Sequence, residues 1–131
     1  MADPLVIFIN HNESLLKLAQ LALTQAGFRA VTWRASEGAK ELIAEQQPDV
    51  VIVDLWLERD GAGWEVYESL RDDPQTANIP VVITTESSRQ FQEKLPLLRM
   101  DDRAALLRKP YDWDALLKTI REISGVTPNP A

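Results

Sequence analysis

Short runs of apolar, mostly β-branched residues alternate along this chain with segments of helical period, and this alternation is the feature that most constrains the fold. The runs at residues 5–9 and 50–53 are apolar at every position, so neither can form a strand with one wet face. Strands of this kind that alternate with helices are typical of a parallel sheet covered by helices on both faces. The sequence therefore predicts an α/β fold built on a doubly wound, open parallel sheet.

Five strands and five helices are predicted. The strands cover residues 5–9, 28–33, 50–53, 81–83 and 104–107. The second helix is predicted to run from a Ser36 cap to about residue 46, the third to cover residues 64–71, and the fifth to follow a cap at Asp112. The first helix begins near Ser14, and its spacing predicts a buried face made of Leu15, Leu18, Ala19, Ala22 and Ala26.

The composition agrees with one intracellular domain. The chain has 131 residues, of which 45% are hydrophobic and 26% are charged, and it contains no cysteine. Disulfide frameworks, thiolate zinc sites and cysteine nucleophiles are therefore excluded, and the cytoplasm is the expected compartment. A net charge of −6 disfavours direct binding to nucleic acid or to an anionic membrane, and no apolar run has the length of a membrane span. The segment 125–131 has no apolar pattern and is predicted to be a flexible tail or the start of a linker.

Polar side chains follow four of the predicted strands. They are Asn10 and His11 after the first strand, Asp54 after the third, Thr84 and Thr85 after the fourth, and Lys109 after the fifth. Because ligands of open α/β sheets bind beyond the carboxyl ends of the strands, we expect a carboxylate, a hydroxyl and an ammonium to meet in one crevice. Asp54 is then either a nucleophile or metal ligand, or a carboxylate neutralised by Lys109. Thr85 either donates to a phosphoryl oxygen or satisfies local backbone groups.

Three segments of the chain resemble those of response-regulator receiver domains. Residues 48–55 resemble the strand that carries the phosphoacceptor, residues 79–85 the strand that ends in the switch threonine, and residues 107–111 the lysine-proline-aromatic signature. The third helix matches as well, and the resemblance covers about residues 4–124. It implies a flavodoxin-like sheet of strand order 2-1-3-4-5, with residues 1–124 as the receiver domain.

The resemblance also implies roles for individual residues. Asp54 would be the phosphoacceptor, Thr85 the hydroxyl that follows the phosphoryl group, and Lys109 its cationic partner. The peptide bond before Pro110 would be cis, and the backbone carbonyl of Trp56 would be a Mg²⁺ ligand. Such a protein is a signalling module of the two-component phosphorelay and not an enzyme. Its expected partner is a histidine kinase or another signalling protein, and a homodimer would form through the face of the fourth helix, fifth strand and fifth helix.

The chain departs from the family pattern at the metal site. Receivers place two adjacent acids after the first strand, where this sequence has Asn10 and His11. Mg²⁺ prefers charged oxygen ligands, whereas an imidazole nitrogen suits zinc, copper or nickel better. Mg²⁺ is therefore expected to bind weakly, if at all, and Glu58 and Glu86 are the candidates to replace the missing acids.

Three more departures lie in regions that transmit the signal in this family. The loop at residues 58–63 is one residue longer than usual, and Leu106 stands where many receivers have an aromatic residue. Pro96 lies inside the fourth helical region, residues 87–103. A proline in a helix interior costs about 3 kcal/mol, so this helix is predicted to be shortened, kinked or partly unwound.

Two functional hypotheses remain open. In the first, a degenerate receiver acts as a protein-interaction module with impaired Mg²⁺-dependent phosphorylation at Asp54; Asn10 and His11 favour it. In the second, a histidine kinase phosphorylates Asp54 and the switch face responds. A flavodoxin is excluded because residues 10–14 are not a phosphate-binding loop, and an aspartyl phosphatase is excluded because Trp56 stands where its second acid would be.

Overall fold

The computed structural model describes residues 3–126, in which five strands and five helices alternate. Strands β1 to β5 are Leu5–Ile9, Arg29–Trp33, Val50–Asp54, Val81–Thr85 and Ala104–Arg108. Helices α1 to α5 are Glu13–Gln25, Ala39–Gln46, Ala62–Arg71, Ser88–Leu98 and Trp113–Ser124. The strands form one parallel sheet of order β2-β1-β3-β4-β5, which confirms the predicted fold class and strand order.

Two further expectations concern the C-terminal tail and membrane-spanning helices. The predicted tail begins at residue 125, and only residues 125 and 126 of it are described; residues 127–131 lie outside the described range. Between residues 3 and 126, no helix combines the length and the apolar character that crossing a membrane requires.

The sheet separates two apolar layers, as the strand sequences require. Every residue of β1, β3 and β4 is buried, and side chains that alternate along a strand enter opposite layers. The first layer joins odd-numbered strand residues to α2, α3 and α4, and it includes Ile7, Ile9, Val51, Val53, Val81, Ile83, Ile43, Val66, Leu70 and Leu98. The second joins even-numbered strand residues to α1 and α5, and it includes Val6, Phe8, Val50, Ile52, Val82, Leu16, Leu23, Leu116 and Ile120.

Helix α1 buries a face that overlaps only in part with the predicted one. Leu16, Ala19 and Leu23 are buried, whereas Leu18 is half exposed. Both sets of residues follow helical spacing because leucine occurs on more than one face of this helix, so periodicity alone could not choose between them. The predicted face is therefore confirmed at Ala19, supported at Leu15 and Ala26, which pack on the second layer, and wrong at Leu18.

Helix α2 begins later than predicted. Its first residue is Ala39, and the residue before it, Gly38, has a φ of 80°. This left-handed conformation suits glycine, and no side chain caps the helix. The predicted cap, Ser36, binds the carboxylate of Glu58 through its backbone N–H and its hydroxyl. The Ser36 cap was therefore a wrong prediction.

Helix α3 begins earlier than predicted, at Ala62 and not at Trp64, directly after Gly61 with a φ of 86°. Gly63, which the sequence placed in a turn, lies in the first turn of this helix and packs on the end of β3. A Cβ atom at Gly63 would lie 1.9 Å from the carbonyl oxygen of Asp54. Glycine is thus what allows α3 to approach the backbone of the acidic strand end so closely.

Helix α4 is not unwound at Pro96. The helix begins after Ser87, whose side chain accepts the N–H of Gln90 at 3.1 Å, and it continues through Pro96 to Leu98. It is therefore shorter than the region 87–103 and ends two residues after the proline. A proline near the end of a helix removes one intrahelical hydrogen bond without breaking several turns, which limits its effect.

One stripe of α4, formed by Gln90, Lys94 and Leu98, faces α3 and the loop before it. These residues follow one another at intervals of four, so they share a face of the helix. Gln90 donates through Nε2 to Oδ1 of Asp60 at 2.6 Å, and Nζ of Lys94 lies 4.4 Å from the ring centroid of Trp64. Leu98 is buried in the first layer. The stripe therefore holds α4 against α3.

A second set of contacts, the Asp101 network, holds the segment after α4. Oδ2 of Asp101 accepts hydrogen bonds from the hydroxyl of Tyr67 and from Nε of Arg71, both at 2.6 Å. Burial, together with the neighbouring carboxylate, raises the pKa of Tyr67 to about 12. Partial burial acts to raise the pKa of Asp101, but the bonds from Tyr67 and Arg71 outweigh it and hold that pKa below its usual range.

Candidate functional site

The carboxyl ends of the strands bring the predicted site residues to one edge of the sheet. Within the β3–β4 pairing, Asp54 and Thr84 are direct register partners. Lys109 follows β5, and its backbone N–H donates to the carbonyl oxygen of Thr85 at 2.8 Å. The peptide bond between Lys109 and Pro110 is cis, as predicted. The crevice expected from the topology is therefore present.

Both carboxylate oxygens of Asp54 are hydrogen-bonded. Lys109 donates through Nζ to Oδ2 at 2.8 Å, and the hydroxyl of Thr84 donates to Oδ1 at 3.1 Å. The side chains of Lys109 and Asp54 are only 15% and 11% exposed, so this ion pair is largely buried. An ammonium and a hydroxyl thus replace the water that Asp54 loses on burial.

Burial is the largest influence on the pKa of Asp54. Loss of solvent raises the pKa of this carboxyl above its ordinary value of 3.8, although the hydrogen bond and charge of Lys109 and the hydrogen bond from Thr84 oppose the rise. The negative charge of Glu86 adds to it. Burial also raises the pKa of Tyr111 to about 12, with the charge of Asp54 as a smaller cause. The folded protein therefore depends on Lys109 and Thr84 to keep Asp54 ionised.

Thr85 contacts the start of α4 and not Asp54. Its hydroxyl oxygen accepts the backbone N–H of Ser87 at 3.1 Å and lies 3.5 Å from Oε1 of Gln90. Adjacent residues of a strand point to opposite faces, so only one of two consecutive threonines can share a face with Asp54. That residue is Thr84, which was expected at the end of β4 but was given no role of its own. Alternation along β4 places one of the two threonines on the face of Asp54, but only the β3–β4 register shows that it is Thr84. The expected role of Thr85 toward a phosphoryl group stays a prediction.

The two non-acidic residues after β1 have different surroundings. Asn10 is buried, with 3% exposure, and its Oδ1 accepts the backbone N–H of Asn12 at 2.9 Å. His11 is exposed. Both residues line a cavity of about 380 Å³ that also reaches Asp54 and Lys109. The amide oxygen of Asn10 is therefore engaged by the turn into α1, beside the acidic strand end.

Of the two glutamates expected to replace the missing acids, only Glu86 lies at the site. It is exposed and lines both cavities that reach Asp54, of about 360 and 380 Å³. The carboxylate of Glu58 instead accepts the backbone N–H of Ser36 at 3.1 Å and its hydroxyl at 3.0 Å. Slight burial acts to raise the pKa of Glu58, but these hydrogen bonds outweigh it and hold the pKa below its usual range. Glu58 therefore stabilises the loop before α2 through its hydrogen bonds with Ser36.

Trp56 forms one side of the mouth of the site. It is 58% exposed and lines the same two cavities as Glu86. The backbone of Trp56 pairs with that of Asp60 in an isolated antiparallel bridge, which closes the loop after β3. Because Asp60 also binds Gln90, this loop is tied to α4. The backbone carbonyl of Trp56 as a metal ligand stays a prediction.

The side-chain donors at this edge are a poor match for Mg²⁺. Across residues 3–126, no three His, Asp or Glu side chains lie close enough together to hold a metal ion. Glu86 is the one other carboxylate that lines the cavity of Asp54, Asn10 and His11, and it stands at the exposed rim. Mg²⁺ demands a near-ideal octahedron of oxygen ligands, and Asp54 is the one buried carboxylate among the residues that line this cavity.

Solved structures of low sequence identity share this fold. A sensor protein from Polaromonas sp. has a TM-score of 0.81 at 21% identity, with 93% of this chain and 96% of that chain covered. The receiver domain of a sensor histidine kinase from Pseudomonas aeruginosa, with a magnesium ion coordinated in its active-site cleft, has a TM-score of 0.80 at 18% identity and coverage of 95% and 99%. The chemotaxis protein CheY4 of Vibrio cholerae has a TM-score of 0.76 at 22% identity and coverage of 92% and 98%.

Sequence comparison identifies the family. Proteins named polar-differentiation response regulator DivK, from Brucella ovis and Brucella abortus, are 27% identical to this chain over 120 residues, which is 92% of this chain and 95% of theirs. The sequence profile of the response regulator receiver domain matches residues 6–121. Since that match spans most of the chain, and the sheet order agrees with it, this protein belongs to the response regulator receiver domain family of two-component signalling.

Proposed function

We propose that this receiver domain acts as a protein-interaction module of phosphorelay signalling, with impaired Mg²⁺-dependent phosphorylation at Asp54. The observation that carries the proposal is the placement of Asn10 and His11 beside Asp54, at the positions where the family resemblance places two acids. The proposal assigns no enzymatic activity to the chain. Its expected partner is a histidine kinase or another signalling protein, not nucleic acid or a membrane, because the net charge is −6.

The charge around Asp54 supports weak metal binding. Of the three anionic groups that the family resemblance places at the metal site, Asn10 and His11 remove two, which leaves Asp54. The ammonium of Lys109 lies 2.8 Å from Oδ2 of this remaining carboxylate. A second cation at the same oxygen would be repelled by that charge, and in a partly buried site the repulsion is screened less than in water. Phosphoryl transfer that depends on Mg²⁺ would be slow because Asn10 and His11 supply no negative charge to the metal site.

The buried ion pair supports a structural role for the acidic strand end. Removal of one partner from a buried pair leaves an uncompensated charge and costs about 3–5 kcal/mol. Asp54 and Lys109 therefore stabilise the fold only together, whether or not Asp54 ever accepts a phosphoryl group. This structural role explains why the chain has both Asp54 and Lys109 beside a metal site that lacks two of its acids.

The contacts that hold α4 in place support a binding surface whose position does not change. The stripe on α4 and the Asp101 network hold this helix and the segment after it against α3. On the outer side of α4, Leu97 is 53% exposed and Met100, just after the helix, is 86% exposed. We expect partners to contact the face of α4, β5 and α5, and a homodimer through this face would show in the sedimentation velocity of the purified chain.

The second candidate is a phosphoaccepting receiver that a histidine kinase switches at Asp54. The observation that favours it is the cavity of about 360 Å³ that adjoins Asp54 and Thr85, because it offers a phosphoryl group space beside the acceptor. The DivK proteins that match nearly the whole chain are themselves named response regulators. In this alternative Glu86, at the rim, would have to compensate for the missing acids.

Intact mass after incubation with acetyl phosphate separates the two candidates. The full chain is incubated with and without Mg²⁺, and Asp54→Asn serves as the control. We expect no gain of a phosphoryl group at high donor concentration. A Mg²⁺-dependent gain that is absent from Asp54→Asn would refute the interaction-module proposal and establish the phosphoaccepting receiver.

A variant that restores the two acids tests the stated cause. Asn10→Asp combined with His11→Asp rebuilds the acidic pair without changing Asp54, Thr85 or Lys109. We expect this variant to gain one phosphoryl group in the presence of Mg²⁺ where the natural chain does not. If neither protein gains a phosphoryl group, the absence of acids at positions 10 and 11 is not what prevents phosphorylation.

A further inference from the structure

We propose that Thr84 is a positioning residue for the Asp54 carboxylate, holding Oδ1 so that Oδ2 is the oxygen that meets Lys109. Nothing in the family motifs quoted above assigns a role to this residue; the switch threonine of those motifs corresponds to Thr85. The inference concerns the carboxylate itself, so it does not depend on whether Asp54 accepts a phosphoryl group.

The geometry of the pair is that of a buried hydrogen bond. Thr84 is 1% exposed and Asp54 is 8% exposed, and the distance from the Thr84 hydroxyl oxygen to Oδ1 is 3.1 Å. An ionised carboxylate can only accept, so the hydroxyl of Thr84 is the donor. The two residues are register partners in the β3–β4 pairing, and this register fixes the distance between their backbones.

Two donors on separate oxygens fix the orientation of the carboxylate, which one donor cannot do. The terminal torsion of an aspartate is broad, so a carboxylate held by one oxygen can pivot about its Cβ–Cγ bond. Lys109 alone leaves this freedom, because its ammonium sits on a long flexible stem. Threonine is stiff at χ1, and Thr84 lies in a strand of which every residue is buried, so its hydroxyl is a fixed point. Together the two donors define the plane of the carboxylate.

Thr85 provides a matched comparison within the same strand. It is the next residue, it is 3% exposed, and it carries the same side chain. Its hydroxyl oxygen accepts from the N–H of Ser87 and lies 3.5 Å from Oε1 of Gln90, so its hydrogen bonds are made to the start of α4 and not to Asp54. Loss of the Thr85 hydroxyl therefore removes a partly buried hydrogen bond at the neighbouring position without removing a contact of the carboxylate.

The ¹³C chemical shift of the Asp54 side-chain carboxyl tests the proposal in the full chain. The protein is labelled at aspartate carboxyl carbons, and the resonance is assigned by its loss in Asp54→Asn. We expect Thr84→Val, which keeps the shape and removes the donor, to move this resonance by more than a line width at neutral pH. Thr84→Ser, which keeps a donor, should restore the wild-type position, and Thr85→Val should leave it unchanged.

Three results would overturn the proposal: an unchanged Asp54 resonance in Thr84→Val, an equal shift in Thr85→Val, or failure of Thr84→Ser to restore the position. If Thr84→Val does not fold, the wild-type protein still decides the question. Its Thr84 hydroxyl proton is expected as a slowly exchanging resonance with a nuclear Overhauser contact to the Asp54 side chain, and absence of that contact refutes the inference. Phosphorylation by acetyl phosphate would contradict the proposed function and leave this inference standing.

Discussion

Replacement of Gly63 by alanine is the substitution that most directly tests how α3 is seated on the end of β3. On propensity alone, alanine in a helix is more favourable than glycine by about 1 kcal/mol. The structure reverses this expectation, because a Cβ atom at Gly63 would lie 1.9 Å from the carbonyl oxygen of Asp54 and 2.7 Å from its carbonyl carbon.

The size of the effect follows from those distances. Carbon contacts below 3.0 Å are essentially never seen, so α3 or the end of β3 must move by about 1.1 Å to admit the methyl group. Overpacking of a core costs about 1–3 kcal/mol when side chains can adjust, and here both colliding groups are backbone. We therefore expect Gly63→Ala to lower the free energy of unfolding by about 3 kcal/mol, a large part of the roughly 5–15 kcal/mol of an ordinary domain.

Urea denaturation, followed by circular dichroism, measures this loss, and Gly61→Ala is the matched control. Gly61 has a φ of +86° and no atom within 4 Å of its ideal Cβ, so alanine there meets only conformational strain. That strain costs about 1–2 kcal/mol. Comparison of the two variants thus separates steric collision at Gly63 from backbone strain at Gly61.

The reasoning also predicts a local effect at the acidic strand end. Movement of α3 should displace the backbone at Asp54, so the amide resonances of residues 54 and 55 should shift in Gly63→Ala and not in Gly61→Ala. A loss of stability in Gly63→Ala no larger than that in Gly61→Ala would refute the close approach of α3 to β3.

Three further perturbations test the ion pair, its pH dependence and the seat of α4. Lys109→Met should lower the free energy of unfolding by about 3–5 kcal/mol, and the double variant Asp54→Asn with Lys109→Met should recover most of the loss in urea denaturation; equal losses would contradict a buried pair. Burial raises the pKa of Asp54, so the folded protein binds a proton at this carboxyl more tightly than the unfolded chain does. The contribution of Asp54 to stability is therefore greatest below its ordinary pKa of 3.8 and falls as the pH rises through the folded-state pKa. Denaturation between about pH 3.5 and 7 should show wild type losing stability relative to Asp54→Asn, and a gain would contradict the sign of the shift. Leu98→Ala should cost about 2–5 kcal/mol because Leu98 is buried, whereas the exposed neighbour Leu97→Ala should change stability by about 0.5 kcal/mol at most, and similar losses would contradict the placement of α4.

The sheet could be predicted because its central strands are apolar at every position. A run such as residues 50–53 fits only a strand covered on both faces, and the polar residues after the strands then share one edge. The ion pair of Asp54 and Lys109 follows from that topology, and so does the position of Asn10 beside it.

Helix ends and faces depended on features that spacing does not encode. α1 carries leucine on several faces, so the sheet and not the pattern decides that Leu16 is buried and Leu18 is exposed. α2 and α3 begin after left-handed glycines, and a cap made by backbone conformation leaves no side-chain signature like that of Ser36.

At the site, the missing information was register and long-range contact. The choice between Thr84 and Thr85 depends on how β4 pairs with β3, which no local pattern gives. Glu58 reaches Ser36, a residue 22 positions away, and this contact removes it from the metal site that its place in the sequence suggested.

The contacts between α3 and α4 close into a ring. Lys94 lies over Trp64, the ring of Trp64 is 5.0 Å from that of Tyr67, and Tyr67 and Arg71 both bind Asp101, just after the end of α4. Elements joined in this way open together in native-state hydrogen exchange. We expect the backbone amides of α3 and α4 to exchange through a common opening, separate from that of α1 and α5 on the other side of the sheet. Slower exchange in α3 would then report a ligand that touches only α4.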